Sequence, residues 1–237
     1  MKRLVILGAG GHGDTKKTCG RYPVMGESAR FSEYDCDFFV AIGNPQVRRR
    51  MQEMLLTAGK QVTTLIHPSA VIGEDVTLGT GTLVAAGAVI NPGAVIGDGC
   101  IINTCASVDH DCVLEDFVHI AVGAHVAGTV SIGAGTWIGA GATVLGPVYI
   151  GVIVRVGAGS VVLKNLPANA TAVGVPAEIV RVGNIKCCPA DDLDQQDLPD
   201  IVAQRLTDLD RRLGALENAA QGDTPPTAAQ IAARQKS

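Results

Sequence analysis

The dominant pattern along this chain is an aliphatic residue at every sixth position. It begins near Ala70 and keeps its register for about a hundred residues. A six-residue repeat predicts short strands separated by corners, three of which close one coil of a parallel β-helix. The repeat predicts a little over five coils from sixteen positions that are all Ile, Leu or Val: Ile72, Leu78, Val84, Ile90, Ile96, Ile102, Val108, Leu114, Ile120, Val126, Ile132, Ile138, Val144, Ile150, Val156 and Val162.

Two further positions of the repeat support this interpretation. The residue two places before the aliphatic position is usually small or β-branched, as at Ala88, Ala106 and Ala142. We expect it to face inward beside the aliphatic ladder. Glycine often follows one place after the aliphatic residue, as at Gly133 and Gly139, where we expect it to relieve backbone strain at a corner.

Residues 1–66 have the pattern of a small α/β unit that precedes the repeat. Apolar runs at residues 4–7, 38–42 and 62–66 predict three strands. A helix is expected to begin with Asn44 as N-cap and Pro45 in its first turn, and to end at Gly59. Its predicted apolar stripe comprises Val47, Met51, Met54 and Leu55.

The first predicted strand leads into a glycine-rich turn, GAGGHG at residues 8–13, which matches the G-x-G-x-x-G pattern. Such a turn holds a pyrophosphate when a strand and a crossover helix surround it. Only about nine residues separate Gly13 from Pro23, so the usual crossover helix has little room. The pattern therefore favours a smaller phosphate or nucleotide ligand over a redox dinucleotide.

Residues 182–237 form a tail with a different pattern. Val202, Leu206, Leu209, Leu213 and Leu216 follow the spacing of two heptads, which predicts a short amphipathic helix. The helix either ties copies of the chain together or docks on its own subunit. From Gln221 onward the composition predicts disorder. Cys187 and Cys188 are adjacent and lack the second cysteine pair that a zinc site needs.

Composition and charge narrow the functional classes. Aromatic residues make up 3% of the chain and apolar residues 47%, which suits thin, repetitive packing of small side chains. The net charge is −4 and the sequence has no basic run, so it predicts no positively charged surface that would bind nucleic acid or an anionic membrane. Seven scattered cysteines favour a reducing compartment, and no apolar run has signal-peptide or membrane-spanning length. We therefore expect a cytoplasmic protein.

Three of the five histidines of the chain lie in one sixteen-residue segment of the repeat. The packing of an aliphatic ladder does not require histidine, so this concentration indicates a function. His119 and His125 each precede a ladder position, so both should point outward on neighbouring faces. His110 falls at a corner between Asp109 and Asp111. A carboxylate beside an imidazole fixes its tautomer and raises its basicity, which suits a general base. The alternative is a solvated corner residue.

The sequence around these histidines resembles the sugar O- and N-acyltransferases, which include sialic acid O-acetyltransferases and UDP-4-amino-sugar N-acetyltransferases. The resemblance rests on NTCASVDHDC at residues 103–112, FVHIAVGA at residues 117–124 and GVPA at residues 174–177. Residues 8–13 and FFVAIGN at residues 38–44 resemble the sugar-nucleotide domain of the same family. The similarity covers residues 1 to about 181.

The resemblance implies a left-handed parallel β-helix at residues 67–181, preceded by a shortened Rossmann-like domain, and a homotrimer with active sites between neighbouring subunits. It implies acetyl-CoA as co-substrate and an amino sugar carried by a nucleotide as acceptor. The roles that it implies are His110 as general base, Asp111 as the acidic residue that tunes it, His119, Ala140 and Ala158 along the coenzyme, and Gly10, Gly11, His12 and Gly43 at the nucleotide sugar.

Two other functions remain compatible with the sequence. A γ-type carbonic anhydrase has a related fold and binds zinc with three histidines across a subunit boundary. The gap of six residues between His119 and His125 places them on different faces, which disfavours such a site. The second alternative is an inactive or structural solenoid. The resemblance favours an acetyltransferase without a metal ion.

Overall fold

The computed structural model of the protein describes residues 3–8, 18–19, 22–23, 26–183, 185–186 and 201–222. Residues 1–199 group into one compact unit and residues 200–237 into a second. The first unit contains the α/β segment and the solenoid, and the second contains the C-terminal helix. The described part of the chain contains no helix with the length and apolarity that a membrane crossing requires.

The α/β segment is built around two parallel strands. It contains β1 (Leu4–Leu7), β2 (Thr18–Cys19), β3 (Tyr22–Pro23), a 3-10 helix (Ser28–Glu33), β4 (Asp37–Val40) and α1 (Pro45–Thr57). Strand β1 pairs with β4 in parallel, while β2 and β3 form a short antiparallel pair. A small hydrophobic core is formed by Leu7, Phe38, Val40, Leu55 and Val62.

Helix α1 begins as predicted, and it buries Leu55 and packs Met51 on the small core, but the other half of the predicted stripe is exposed. The Asn44 side chain accepts a hydrogen bond from the Val47 backbone N–H at 3.0 Å, and proline opens the helix. Val47 and Met54 of the predicted apolar stripe are 41% and 37% exposed. The wholly buried positions of α1 include Arg48, which a hydrophobic pattern assigns to solvent.

The solenoid begins with Leu65 and consists of two-residue strands. They are β5 (Leu65–Ile66), β6 (Val71–Ile72), β7 (Thr77–Leu78), β8 (Leu83–Val84), β9 (Val89–Ile90), β10 (Val95–Ile96), β11 (Ile101–Ile102), β12 (Ser107–Val108), β13 (Val113–Leu114), β14 (His119–Ile120), β15 (His125–Val126), β16 (Ser131–Ile132), β17 (Trp137–Ile138), β18 (Thr143–Val144), β19 (Tyr149–Ile150), β20 (Arg155–Val156) and β21 (Val161–Val162).

These strands stack into three parallel sheets, which form the faces of a prism. The first face holds β5, β8, β11, β14, β17 and β20, the second holds β6, β9, β12, β15, β18 and β21, and the third holds β7, β10, β13, β16 and β19. The first corner (residues 67–70 in the first coil) joins the first and second faces, the second corner (73–76) the second and third, and the third corner (79–82) the third face to the next coil. Each residue lies opposite the one 18 positions later, as Leu65 does opposite Leu83.

The predicted ladder forms the core of the prism. From Val84 to Val162 every predicted ladder residue is buried, and so are the small residues at Ala88, Ala106 and Ala142. The prism has about six turns rather than a little over five. The difference arises partly because β5, predicted as the end of the α/β unit, is already the first strand of a solenoid face, while Val62 makes a separate bridge to Phe38.

The glycines that follow the ladder positions have a steric role, not the conformational one that the repeat suggested. At Gly133 and Gly139 a Cβ would lie within 2.6 Å of backbone atoms in the next coil, and neither has a positive φ. Positive φ angles occur two residues later in the corner, for example at Gly135 and Gly141. The first glycine of the corner therefore lets successive coils approach, and the second adopts the left-handed turn.

This distinction predicts unequal costs for two substitutions in one corner. Gly133→Ala should lower the free energy of unfolding by about 2–3 kcal/mol, because its Cβ would lie 2.6 Å from the Gly151 carbonyl carbon. Gly135→Ala should cost about 1 kcal/mol, because its Cβ has room but its φ is +68°. Urea denaturation of both variants measures the difference. Equal costs would contradict the steric role.

The prism ends in an antiparallel sheet, and a helix forms the second unit. Strands β22 (Ala170–Val173), β23 (Glu178–Val182) and β24 (Ile185–Lys186) extend the first face, with β22 parallel to β20 and the later pairs antiparallel. Helix α2 spans Ile201–Gly222, so the predicted heptad helix is confirmed. The prediction of disorder from Gln221 onward is wrong for Gln221 and Gly222, which belong to α2. Cys187, Cys188 and residues 223–237 lie outside the described residues.

Candidate active site

The second corner presents His110 between two carboxylates. His110 Nδ1 lies 2.9 Å from Asp111 Oδ2, and the two side chains are 57% and 66% exposed. The backbone N–H of His110 donates to Asp109 Oδ1 at 2.8 Å, and Asn91 Nδ2 donates to the same oxygen at 2.7 Å. The predicted carboxylate partner is therefore present, with Asp111 bonded to the ring and Asp109 to the backbone.

Glycines in the two neighbouring coils leave space for the side chains of this pair. A Cβ at Gly128, one coil after His110, would lie 2.5 Å from His110 Nε2, and a Cβ at Gly93, one coil before Asp111, would lie 2.8 Å from Asp111 Oδ1. Asp111 itself has a φ of +56°, in the left-handed region that Asp tolerates better than most residues. Glycine on both sides therefore leaves the space that the His110–Asp111 pair occupies.

The hydrogen bond from Asp111 is the main cause that raises the pKa of His110 above its ordinary value, with support from the charge of Asp109. Hydrogen bonds from Asn91 and from the His110 backbone lower the pKa of Asp109, which keeps it a carboxylate. If Nδ1 carries the proton that Asp111 accepts, Nε2 presents its lone pair. The arrangement gives an exposed imidazole that can take up a proton through Nε2.

His119 lies on the first face, and its environment is the opposite of that of His110. Its side chain is 6% exposed, although it points away from the aliphatic core as predicted. Its ring stacks on Trp137 with centroids 4.7 Å apart, and its Nε2 lies 3.2 Å from Asn103 Nδ2. Among the described residues, His119 Nδ1 and Trp137 Nε1 are buried without a hydrogen-bond partner. The sequence predicted correctly that His119 points outward from the prism, but it did not predict that the side chain is buried.

Burial, followed by the nearby positive charge of Arg48, lowers the pKa of His119 from 6.5 to about 4. The imidazole is therefore neutral at pH 7. Because Asn103 donates its amide hydrogen towards Nε2, the ring proton belongs on Nδ1. His119 can thus orient a group or pack against it without bringing a charge.

This pKa predicts a pH-dependent stability. Between pH 7 and pH 4 the unfolded chain takes up a proton at His119 that the folded chain excludes, so the free energy of unfolding should fall as pH falls. The drop should be up to about 3 kcal/mol, and His119→Gln should remove this part of it. Urea denaturation at several pH values tests this. Identical pH dependence in the two proteins would contradict the assignment.

The first corner holds the two alanines assigned to the coenzyme. Ala140 and Ala158 are exposed and stacked in successive coils, with the Gly159 N–H donating to the Ala140 carbonyl at 2.8 Å. Gly141 and Gly159 have φ angles of +66° and +67°, and a Cβ on either would meet no atom within 4 Å. The corner is therefore a smooth strip without large side chains at these positions, and it borders the opposite edge of the second face from His110.

Of the residues assigned to the nucleotide sugar, Gly10, Gly11 and His12 lie outside the described residues. Gly43 is described, and its carbonyl accepts a hydrogen bond from Arg48 Nη1 at 2.8 Å. A Cβ at Gly43 would meet no atom of the described residues within 4 Å.

Arg48 fixes the loop around Gly43 to the solenoid, a role that the sequence analysis missed. Its guanidinium donates to the carbonyls of Ile42 and Gly43 in the α/β segment, and to those of Gly99 and Phe117 in the third corner, at 2.7 to 2.9 Å. The side chain is fully buried, and burial lowers the pKa of Arg48 to about 10. Four carbonyl dipoles thus stabilise the cation.

The second face carries a further polar pair next to His110. Ser107 Oγ lies 2.8 Å from His125 Nδ1, one coil apart, and His125 is exposed as predicted. The 18-residue separation of the two positions is the signal that could have found this pair. Within the described ranges, no three His, Cys, Asp or Glu side chains are grouped in a way that could hold a metal ion.

Comparison with known proteins gives consistent relatives, although no protein-family model matches the chain. The chain is 34% identical over 102 residues to the GDP-perosamine N-acetyltransferase of Escherichia coli O157:H7, an alignment that covers 43% of this chain and 46% of that protein. The chain spans about half the length of the curated relatives it matches.

Two solved structures share the fold over most of their length. The acetyltransferase domain of PglB from Neisseria gonorrhoeae, in complex with acetyl coenzyme A, is 34% identical with a TM-score of 0.71, covering 74% of this chain and 98% of that one. PerB from Caulobacter crescentus, in complex with CoA and GDP-perosamine, is 36% identical with a TM-score of 0.69, covering 74% and 96%. The likeness confirms the left-handed parallel β-helix predicted from the sequence.

Proposed function

We propose a function for this chain on the basis of its family. The chain belongs to the sugar N-acetyltransferases of the hexapeptide-repeat family. In this proposal it transfers the acetyl group of acetyl-CoA to the amine of an amino sugar that is linked to a nucleotide, in bacterial glycan biosynthesis. The observation that carries the proposal is the exposed His110–Asp111 pair, held at 2.9 Å in a corner shaped by two glycines.

His110 is the general base in the proposed reaction. The neutral sugar amine attacks the thioester carbonyl, and His110 Nε2 accepts the proton that the nitrogen loses. The carbon–sulfur bond then breaks, and the coenzyme thiolate leaves and is protonated to the thiol. One acetyl group is transferred and one thiol is released per turnover. Because the amine attacks the thioester directly, no covalent enzyme intermediate is required.

The other assigned residues position the two substrates. The first corner at Ala140 and Ala158 accommodates the coenzyme arm, because its glycines leave the surface free of obstructing side chains. The neutral His119 lies at the thioester end of that arm. Gly10, Gly11, His12 and Gly43 contact the nucleotide sugar. Orientation of both substrates supplies a large part of the rate acceleration in such direct transfers.

We further propose that the active enzyme is a cytoplasmic homotrimer. His110 and the coenzyme corner lie at opposite edges of the second face within one chain. A cleft between two prisms can bring the second corner of one copy to the first corner of another, and cyclic symmetry repeats that cleft in each copy. Single chains that show full turnover would contradict this arrangement.

Replacing the base gives the direct test of the function. His110→Ala should lower kcat/KM by a factor of about 10²–10⁴, the usual contribution of a general base. The measurement is thiol release from acetyl-CoA in the presence of GDP-perosamine and of UDP-linked amino sugars. His67→Ala, which removes another exposed histidine, is the matched control and should retain wild-type rates. No release with any sugar would favour a structural solenoid.

Replacing the carboxylate partner should shift the pH profile. Since Asp111 raises the pKa of His110, wild-type kcat/KM should fall at a higher pH on the acidic side than an isolated histidine would give. Asp111→Asn should move that acidic limb to lower pH and also reduce the plateau rate, because the tautomer is less firmly fixed. A pH–rate profile of both proteins tests this, and an unchanged limb would exclude Asp111 as the tuning residue.

A further inference from the structure

Helix α2 exposes a continuous stripe of leucines. Leu206, Leu209, Leu213 and Leu216 are 57%, 55%, 55% and 69% exposed. Their alternating spacing of three and four residues places them along one side of the helix. Soluble proteins commonly expose single apolar residues, but a continuous row of four exposed leucines is unusual. We therefore expect a partner to cover this stripe.

The charged residues beside the stripe indicate what the partner is. In heptad terms Leu206 and Leu213 occupy a positions, and Leu209 and Leu216 occupy d positions. The flanking g positions that precede each a residue are both basic, and the flanking e positions that follow each d residue are both acidic. These residues are Arg205 and Arg212 at g, and Asp210 and Glu217 at e.

This charge order distinguishes between orientations of two identical helices. In a parallel coiled coil a g residue faces the e residue five positions later on the partner. Arg205 then faces Asp210 of another copy, and Arg212 faces Glu217, so both contacts join opposite charges. In an antiparallel pair g faces g and e faces e, which brings like charges together. The sequence of α2 therefore fits another α2 in the parallel direction.

We propose that α2 forms a parallel, in-register coiled coil with α2 of other copies of this chain. The number of strands, three, rests on the homotrimer of the proposed function, whereas the parallel self-association rests on the leucine stripe and its flanking charges. The helix has 22 residues and a length of about 33 Å. Two heptads associate weakly alone, but chains already held together in an oligomer supply the high effective concentration that makes such a contact form.

Site-specific photo-crosslinking in the full chain tests the proposal. With p-benzoylphenylalanine at position 206, irradiation should give covalent dimers and trimers, and peptide mapping should place the crosslinks near residues 202–210 of the other copy. The same photoreactive residue at position 211, on the opposite side of α2, is the matched control and should give at least about fivefold less product. Arg211 is 76% exposed there, so the probe disturbs little.

Each other result would overturn the proposal. Crosslinks from position 206 to residues near 216 of another copy would indicate an antiparallel pair. Crosslinks confined to the chain's own residues would indicate a helix docked on its own subunit. Equal yields at 206 and 211 would indicate random collision. Acetyl transfer measured in the same preparations separates the two proposals, since an active enzyme without intermolecular α2 crosslinks would retain the function and lose the coiled coil.

Charge reversal supplies a second readout that does not depend on the leucines. Arg205→Glu with Arg212→Glu should lower the intermolecular crosslink yield from position 206 at least about fivefold, because acidic g positions then face acidic e positions. Coexpression of this variant with the Asp210→Arg, Glu217→Arg variant, so that both chains assemble into the same oligomers, should raise the yield again, since g and e charges of unlike chains complement each other. An unchanged yield in the first variant, or no recovery in oligomers that contain both variants, would also refute the parallel arrangement.

Discussion

The stacking of coils at a fixed interval of 18 residues is the constraint on which the rest of the prism depends. Backbone hydrogen bonds between coils and the aliphatic ladder hold this interval along every face. As a result, residues 18 apart become neighbours, whatever their chemistry. Asn91 reaches Asp109, Ser107 reaches His125, and His119 stacks on Trp137 through this one register. These polar and aromatic contacts between coils therefore follow from the register that the apolar repeat sets.

The junction between the α/β segment and the solenoid depends on a buried cation. The guanidinium of Arg48 donates four hydrogen bonds to carbonyl groups on both sides of the junction. Removing a guanidinium from water is costly unless its donors are satisfied, so these carbonyls must stay in place. The same charge contributes to the low pKa of His119. One arginine thus fixes the Gly43 loop and helps to keep the nearby imidazole neutral.

The sequence predicted the features that follow from periodicity and missed those that follow from tertiary contacts. The ladder, the inward small residues and the outward direction of His119 and His125 all result from the register of the repeat. The predicted buried face of α1 was right for Leu55 and Met51 but wrong for Val47 and Met54. Arg48 and Gln52 are buried instead, through hydrogen bonds to the solenoid that a hydrophobic pattern does not contain. The corner glycines were found but misinterpreted, since close approach between coils depends on the neighbouring coil. Family resemblance supplied the proposed roles of His110 and Asp111, and the structure adds their contact within the corner.

The two histidines assigned to the proposed reaction lie in opposite environments. His110 is exposed and bonded to a carboxylate, so its affinity for a proton is raised, whereas His119 is buried beside a cation and its affinity is lowered. Opposite environments for chemically identical side chains therefore allow one to move a proton and the other to remain a neutral contact. The repeat makes this separation easy, since a corner residue faces solvent while a face residue can be covered by the segment that packs upon it.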